Sequence, residues 1–444
     1  MKKLIALLLC LATVFSMFGC TAQETPETTE LGPEVVEKKD YSRYANIVHD
    51  PKTWYENFMA LPIANENMTS DELRQLCVDA FKANLSFHWT PNEQIVYTYE
   101  LLDRYSDVVL PVGIAYSGLF YATGITNTSR GNIFKMLNYY DHETGVVDIE
   151  AMGNIDIVIS NLSSACAAGA QQAWNRISGS HGIKGMSTYN MYDANCVPVG
   201  PYTYEPADYN NNFGSRTASD AIIAKNGNNV MYESLALMLP ADGLYSSSSW
   251  HVMMCSSKPV VVRLENGQIN PFESYMLVCE QGAGGTKNDS YNQDQPNGVP
   301  IRMLGTIDKK YTFDELISKG YIPFTIKEFI GEDPIEPGEA FLGKNNKKTE
   351  AADMSLDQLN AQTVYTNYNL CTMKIKVKAP DGTELVSYAP MVNSSYNSYD
   401  YPMMGLLYTD RLIPYANGKN TIHIYAQLAN GELIEAYSGL LIVD

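Results

Sequence analysis

The sequence predicts an α+β protein with a helical N-terminal region, a mixed central domain and a C-terminal β-sandwich. Apolar residues recur at three- and four-residue spacing over positions 73–81, which favours an amphipathic helix. Short β-branched or apolar runs at 250–255, 260–264 and 274–281 are separated by turn-forming residues, as in an antiparallel meander. Towards the C-terminus apolar and polar residues alternate, which indicates strands with one buried face.

The first nineteen residues have the pattern of a signal peptide. A basic start at Lys2 and Lys3 precedes an apolar run that is too short to span a membrane. The run ends in Gly19-Cys20, which resembles the bacterial lipobox. That resemblance implies a lipid on Cys20 and an extracytoplasmic protein anchored to the bacterial cell membrane. Secretion without an anchor is the alternative, because Phe18 is bulky where the lipobox has a small residue.

Residues 20–40 are rich in Thr, Pro and acidic side chains, which predicts a flexible, solvated tether. The whole chain has a net charge of −19, and removal of the signal peptide takes away two further lysines. A polyanion of this kind is a poor candidate for nucleic-acid binding, so we expect no nucleic-acid partner.

Helices are predicted at several further places. Residues 41–110 form the helical N-terminal region, with a capping box from Thr69 to Glu72 and Cys77 on the buried helix face. A short helix is expected at 132–140, and a helix over 161–174 is expected to carry Cys166 in its first turns. Residues 218–239 are also helical, and Thr312 is expected to cap another short helix.

The composition of the last quarter of the chain predicts two successive segments. A Pro-, Gly- and Glu-rich passage predicts a linker over 336–370. The alternation that follows predicts a small β-sandwich of immunoglobulin or fibronectin type over 371–444.

The cysteine pattern indicates a reactive thiol rather than a metal or disulfide site. Beyond Cys10 and Cys20, six cysteines are scattered through the chain without a C-x-x-C pair, so we expect no metal, no cofactor and no dense disulfide framework. Cys166 alone lies near a predicted helix N-terminus, where the helix dipole favours the nucleophilic thiolate.

A cysteine hydrolase also needs a base and a group that orients it. His251, at the start of the first meander strand, is the best candidate among the six histidines. A later strand ends in Glu280-Gln281, and either side chain could hold the imidazole ring. The order along the chain is therefore nucleophile on a helix, base on a strand, and orienting group on a following strand.

This order resembles the NlpC-type cell-wall cysteine peptidases, which have a papain-like fold. The matching pieces are Tyr116, the helix at 161–174, the Leu239-Pro240-Ala241-Asp242-Gly243 segment and His251 with the residues after it. The resemblance implies an NlpC-like domain over 111–335 that hydrolyses amide bonds in peptidoglycan stem peptides. It implies Cys166 as nucleophile, His251 as base, Glu280 or Gln281 as orienting group, and Tyr116 as lining of the substrate groove.

Two other functions stay open from the sequence. In that family the nucleophile stands between Asp and Ser, and Asn161-Leu162-Ser163 fits this triplet with leucine in place of the thiol. The chain would then be an inactive NlpC-like surface lipoprotein that binds cell-wall or glycan material. The other possibility is a transfer reaction that uses the same residues.

Overall fold

A computed structural model describes most of the chain after residue 50. The described ranges are 51–101, 104–113, 115–121, 132–179, 196–205, 218–282, 293–294, 300–301, 305–350, 353–388, 400–402 and 418–443. They all belong to one compact unit, Arg43–Asp444. The predicted signal peptide, the lipid on Cys20 and the tether at 20–40 lie outside these ranges. No helix within the ranges is long and apolar enough to cross a membrane.

Helices and strands both contribute to this part of the chain, which confirms the α+β class. The helices are α1 (Pro51–Met59), α2 (Ser70–Ser86), α3 (Ile133–Leu137), α4 (Ile149–Met152), α5 (Ile155–Leu162), α6 (Cys166–Trp174), α7 (Ala218–Asn226), α8 (Asn228–Ala236), α9 (Phe313–Ser318), α10 (Leu356–Asn360) and a 3₁₀ turn at Lys327–Ile330.

The strands vary in length from two to eleven residues. They are β1 (His88–Pro91), β2 (Ile95–Leu101), β3 (Arg104–Leu110), β4 (Tyr116–Ser117), β5 (Phe120–Tyr121), β6 (Tyr140–Asp141), β7 (Val146–Val147), β8 (Ser163–Ser164), β9 (Cys196–Pro198), β10 (Gly243–Ser246), β11 (His251–Cys255), β12 (Tyr275–Gln281), β13 (Gln293–Asp294), β14 (Pro300–Ile301), β15 (Gly305–Thr312), β16 (Ile322–Ile326), β17 (Ala340–Lys344), β18 (Lys347–Lys348), β19 (Asp353–Ser355), β20 (Thr363–Thr366), β21 (Leu370–Lys378), β22 (Glu384–Tyr388), β23 (Asp400–Pro402), β24 (Gly418–Leu428) and β25 (Leu433–Val443).

The N-terminal region is helical only in its first half. Thr69 and Glu72 form the predicted capping box of α2, and Cys77 is fully buried on that helix. The prediction of helix up to residue 110 is wrong, because β1, β2 and β3 follow α2 directly. β2 and β3 pair as an antiparallel hairpin. Their Val, Tyr and Thr residues are strand formers, and pairing between the two strands decides the structure.

A six-stranded antiparallel sheet forms the centre of the molecule, in the order β15-β12-β11-β10-β16-β9. α6 packs against β11 and β12, and α2 packs against α6. Trp174, the last residue of α6, is buried and donates its indole N–H to the carbonyl of Ala241 at 2.8 Å. This bond fixes the helix to the segment that leads into β10. The predicted strand at 260–264 makes only isolated bridges to Tyr275 and Ile269.

A buried ion pair holds the same segment from the other side. Arg74 of α2 lies 2.6 Å from Asp242, and both side chains are almost wholly buried. Arg74 also donates to the carbonyl of Pro240 at 2.9 Å. α2 and α6 are thereby held against one end of the central sheet.

The C-terminal part is built from two sheets around one core. The sheets have the orders β18-β17-β20-β23 and β19-β25-β24-β21-β22, and residues of both belong to one hydrophobic cluster. The predicted linker at 336–370 is wrong, because it contains β17 to β20 and α10. The Pro- and Gly-rich residues that suggested a linker precede β17, and the strands after them are short.

Candidate active site

Cys166 is the first residue of α6. Ala165 before it is extended and forms no side-chain cap, so the first backbone N–H groups of the helix are not taken up by a capping side chain. The thiol is 8% exposed. A cysteine at this position lies at the positive end of the helix dipole, which favours the thiolate.

The expected continuous helix over 161–174 is wrong. α5 ends at Leu162, and Ser163 and Ser164 form β8, which pairs in parallel with β5. Leu162 is a fully buried residue at the C-terminus of α5. Leu162 and Cys166 therefore belong to different helices and do not lie on one helix face.

His251 lies at the first position of β11, next to β10 and on the same face of the sheet as Glu280. Met254 pairs with Cys279 across β11 and β12, so residues 251, 253 and 280 point to one side. The Nε2 atom of His251 is 2.8 Å from Oε2 of Glu280. Because Nε2 is occupied by the carboxylate, Nδ1 is the nitrogen left for the thiol of Cys166, whose interaction with the ring shifts the pKa of both groups.

Glu280 is buried and is held by three side chains of β15. Its Oε1 accepts hydrogen bonds from Lys309 Nζ at 2.6 Å, the Tyr311 hydroxyl at 3.1 Å and the Thr306 hydroxyl at 3.2 Å. The carboxylate therefore presents one oxygen to the imidazole and the other to the neighbouring strand. Sequence reasoning missed these three residues, because the polar run Asp308-Lys309-Lys310 gives β15 no apolar–polar alternation that would mark it as a strand.

The electrostatics of the trio favour a charged pair. Burial opposes ionisation of Cys166, but the hydrogen bond and charge of His251, with backbone amides of Val252 and Ala167, lower the pKa of the thiol below its usual range. Burial also opposes protonation of His251, but its bonds to Cys166 and Glu280 raise the pKa of the imidazole to about 10. Burial disfavours the Glu280 carboxylate, yet His251 and Lys309 lower its pKa to about 2.

Other thiols of the chain behave in the opposite way. Burial raises the pKa of Cys255 to about 12 and that of Cys279 and Cys371 to about 11, and it also raises the pKa of Cys77. The six cysteines from Cys77 onwards are all free thiols. Among the five cysteines with a shifted pKa, Cys166 is the one in which a neighbouring base outweighs burial.

Trp250 is a further residue that sequence reasoning missed. Its side chain is 59% exposed, and its carbonyl oxygen lies 3.7 Å from Sγ of Cys166. Its φ of +48° is unusual for a bulky residue, and such backbone strain clusters at functional sites. The signal in the sequence is an aromatic residue directly before the candidate base.

Tyr116 and Gln281 are placed as packing residues. Tyr116 is buried in β4, with its ring centroid 5.2 Å from that of Trp89. This is a core position, in contrast with the groove-lining position expected for it. Gln281 is buried and donates to the carbonyl of Leu119 at 2.6 Å, so Glu280, and not Gln281, reaches the imidazole.

Within the described ranges no group of three or more His, Cys, Asp or Glu side chains comes together as a metal site. The chemistry that the trio can perform is nucleophilic attack by sulfur, assisted by an oriented imidazole.

Comparison with known proteins adds no family. No protein-family model matches the chain, and no curated protein is similar to it. Among solved structures, one similar chain is described as the crystal structure of a tetra-tandem repeat in the extending region of a large adhesion protein. It is 8% identical, with 46% of this chain and 42% of that chain covered, at a TM-score of 0.16. The chain thus spans less than half the length of that protein, and the likeness carries no conclusion about fold or function.

Proposed function

We propose that this protein is a cysteine peptidase that hydrolyses amide bonds. The observation that carries the proposal is the convergence of three side chains: Cys166 lies at a helix N-terminus and interacts with the ring of His251, and Nε2 of that ring lies 2.8 Å from Glu280. Nucleophile, base and orienting group are the three parts that such chemistry needs.

In the first half of the reaction the Cys166 thiolate attacks the carbonyl carbon of the amide. Backbone N–H groups at the start of α6 stabilise the oxyanion that develops. The imidazolium of His251 gives its proton to the leaving amine, and a thioester with Cys166 remains.

In the second half His251, now neutral, removes a proton from water, and the resulting hydroxide attacks the thioester. The carboxylic acid is released and Cys166 leaves as thiolate. His251 keeps the proton that it took from water, so the pair is again thiolate and imidazolium. Glu280 holds the ring throughout, and Lys309 keeps Glu280 ionised.

For the fold and substrate we propose a papain-like domain of NlpC type that cleaves peptidoglycan stem peptides outside the cytoplasm, on a protein anchored through a lipid on Cys20. α6, which carries Cys166, packs on the antiparallel central sheet, and strand β11 of that sheet begins with His251. This arrangement supports the proposal. The substrate class rests on the resemblance of the chain to that family.

Substitution Cys166→Ala tests the proposal. We expect release of peptide fragments from purified peptidoglycan to stop while the circular dichroism spectrum and Tm stay close to wild type. Cys196→Ala, which removes another buried thiol, should keep activity. Equal fragment release by wild type and Cys166→Ala would disprove the peptidase. Binding of peptidoglycan without any cleavage would favour the surface-binding alternative, and products joined to an added amine would show transfer.

A further inference from the structure

A cavity lies between the helices and the C-terminal sheets. It is bounded by α1, α2, α3, the end of α6 and the start of β21. Cys166 is not part of its lining, although Ala168 of the same helix is.

Arg176 supplies a buried charge to this cavity. The side chain is only 4% exposed in the chain, and its guanidinium lies over the rings of Phe58 and Phe134, at 5.7 and 5.4 Å from their centroids. A Cβ added at Gly431 would collide with Nη1, so the backbone there leaves space for the guanidinium. The neighbouring rings and backbone therefore fix the position of the Arg176 guanidinium.

The guanidinium lacks a protein counter-charge in the part of the chain that the structure describes. Nε and Nη1 of Arg176 form no hydrogen bond there, and no carboxylate lies within ion-pair distance. Among the residues that the structure describes, the lining of the cavity includes no Asp or Glu. Burial of such a charge is costly unless an anion compensates it. The cost is notable in a protein whose net charge is −19.

Two side-chain oxygens of residues that line the cavity lack a hydrogen-bond donor within the described ranges. Oδ1 of Asn175 and Oδ1 of Asn369 are buried and form no hydrogen bond within the described ranges, and both residues line the cavity. Acceptor oxygens are unsuited to a phosphate dianion, but they can accept from an ammonium or amide N–H. A guanidinium fork binds a planar carboxylate through two parallel hydrogen bonds.

We propose that this cavity binds a small amino-acid-like or peptide-like molecule, with its carboxylate on Arg176 and its N–H groups on Asn175 and Asn369. The ligand joins the end of α6 to β21, since Arg176 follows α6 and Asn369 precedes β21. Binding at this cavity is independent of the proposed peptidase chemistry and is measured without cleavage.

Thermal unfolding of the purified protein with glycine or glycylglycine tests the proposal. At about ten times the Kd we expect these probes to raise the Tm by about 1 to 2 °C. Glycinamide, which has an amide in place of the carboxylate, should produce no rise. Arg176→Met should abolish the response, and the matched control Arg263→Met, at an exposed arginine, should keep it.

A second variant covers the case in which Arg176→Met fails to fold. Ala429→Leu places a larger side chain into the cavity without touching the charge, and it should also remove the response. No stabilisation by glycine or glycylglycine, an equal effect of glycinamide, or an undiminished response in Ala429→Leu would overturn the proposal. Stabilisation by inorganic phosphate alone would overturn it as well.

Discussion

Two histidine–glutamate pairs lie in different halves of the molecule and differ in what surrounds them. His251 and Glu280 are 2.8 Å apart on the central sheet, with side-chain exposures of 14% and 8%. His423 and Glu435 are 2.7 Å apart on the C-terminal sheet, with exposures of 30% and 43%. The contact distance is nearly the same, so distance alone does not distinguish a candidate active site from a surface pair.

The two pairs differ in which nitrogens of the imidazole ring have partners. In the C-terminal pair both Glu435 and the Ser438 hydroxyl approach Nδ1 of His423, at 2.7 and 3.2 Å. A single nitrogen cannot be held by the carboxylate and also take the hydroxyl proton. In the central pair Glu280 occupies Nε2, which leaves Nδ1 available for the thiol of Cys166, the other group that interacts with the ring. Carboxylate and nucleophile on opposite nitrogens are what general-base catalysis requires.

The largest effect is expected when the two histidines are removed in turn. His251→Ala should lower kcat/KM for peptide release by a factor of about 10³ or more, because both proton transfers are lost. His423→Ala should leave kcat/KM near wild type. Similar losses of kcat/KM in both variants would show that His251 is no more important for catalysis than His423.

A smaller effect is expected at the two carboxylates. Glu280→Gln should reduce kcat/KM by at least about 10- to 100-fold, the loss seen when the partner that orients a metal-binding histidine is removed. The charge of Glu280 helps to hold the pKa of His251 above its ordinary value, so the alkaline limb of the pH profile should move to lower pH. Glu435→Gln should change neither quantity. An unshifted limb in Glu280→Gln would contradict the orienting role.

The smallest effect is expected at the exposed aromatic residue beside the thiol. Trp250→Gly removes the indole and relieves the positive φ, and we expect KM to rise by about three- to tenfold with kcat largely kept. Phe272→Ala removes another exposed aromatic ring, and it should leave KM unchanged. A KM equal to that of wild type would mean that the Trp250 side chain does not contribute to ground-state binding of substrate.

The sequence was sufficient to select the three residues that form the candidate site, because each has a positional signal. Cys166 is close to a helix start, His251 opens a strand, and Glu280 ends one. The sequence did not show the break at Ser163–Ser164, because small and apolar residues continue through it without a Pro or Gly. The break depends on pairing of β8 with β5, a contact between distant segments.

Tertiary contacts also explain the other differences. Tyr116 was expected in a groove and is buried against Trp89, because the partner strand β1 lies in a region for which helix was predicted. Lys309 reaches Glu280 only because β15 pairs with β12. Local patterns of residues carry no information on which strands become neighbours.

The most direct test of the account is the rate at which iodoacetamide alkylates the native protein, measured by mass spectrometry of each cysteine between about pH 6 and about pH 8. The lowered pKa of Cys166 predicts an adduct on that residue first, at a rate that rises less steeply with pH than the rate of an ordinary thiol. In His251→Ala the rate should fall at the lower pH. A rate that rises about tenfold per pH unit, as for an ordinary thiol, or labelling of Cys166 no faster than of Cys255, would contradict the account.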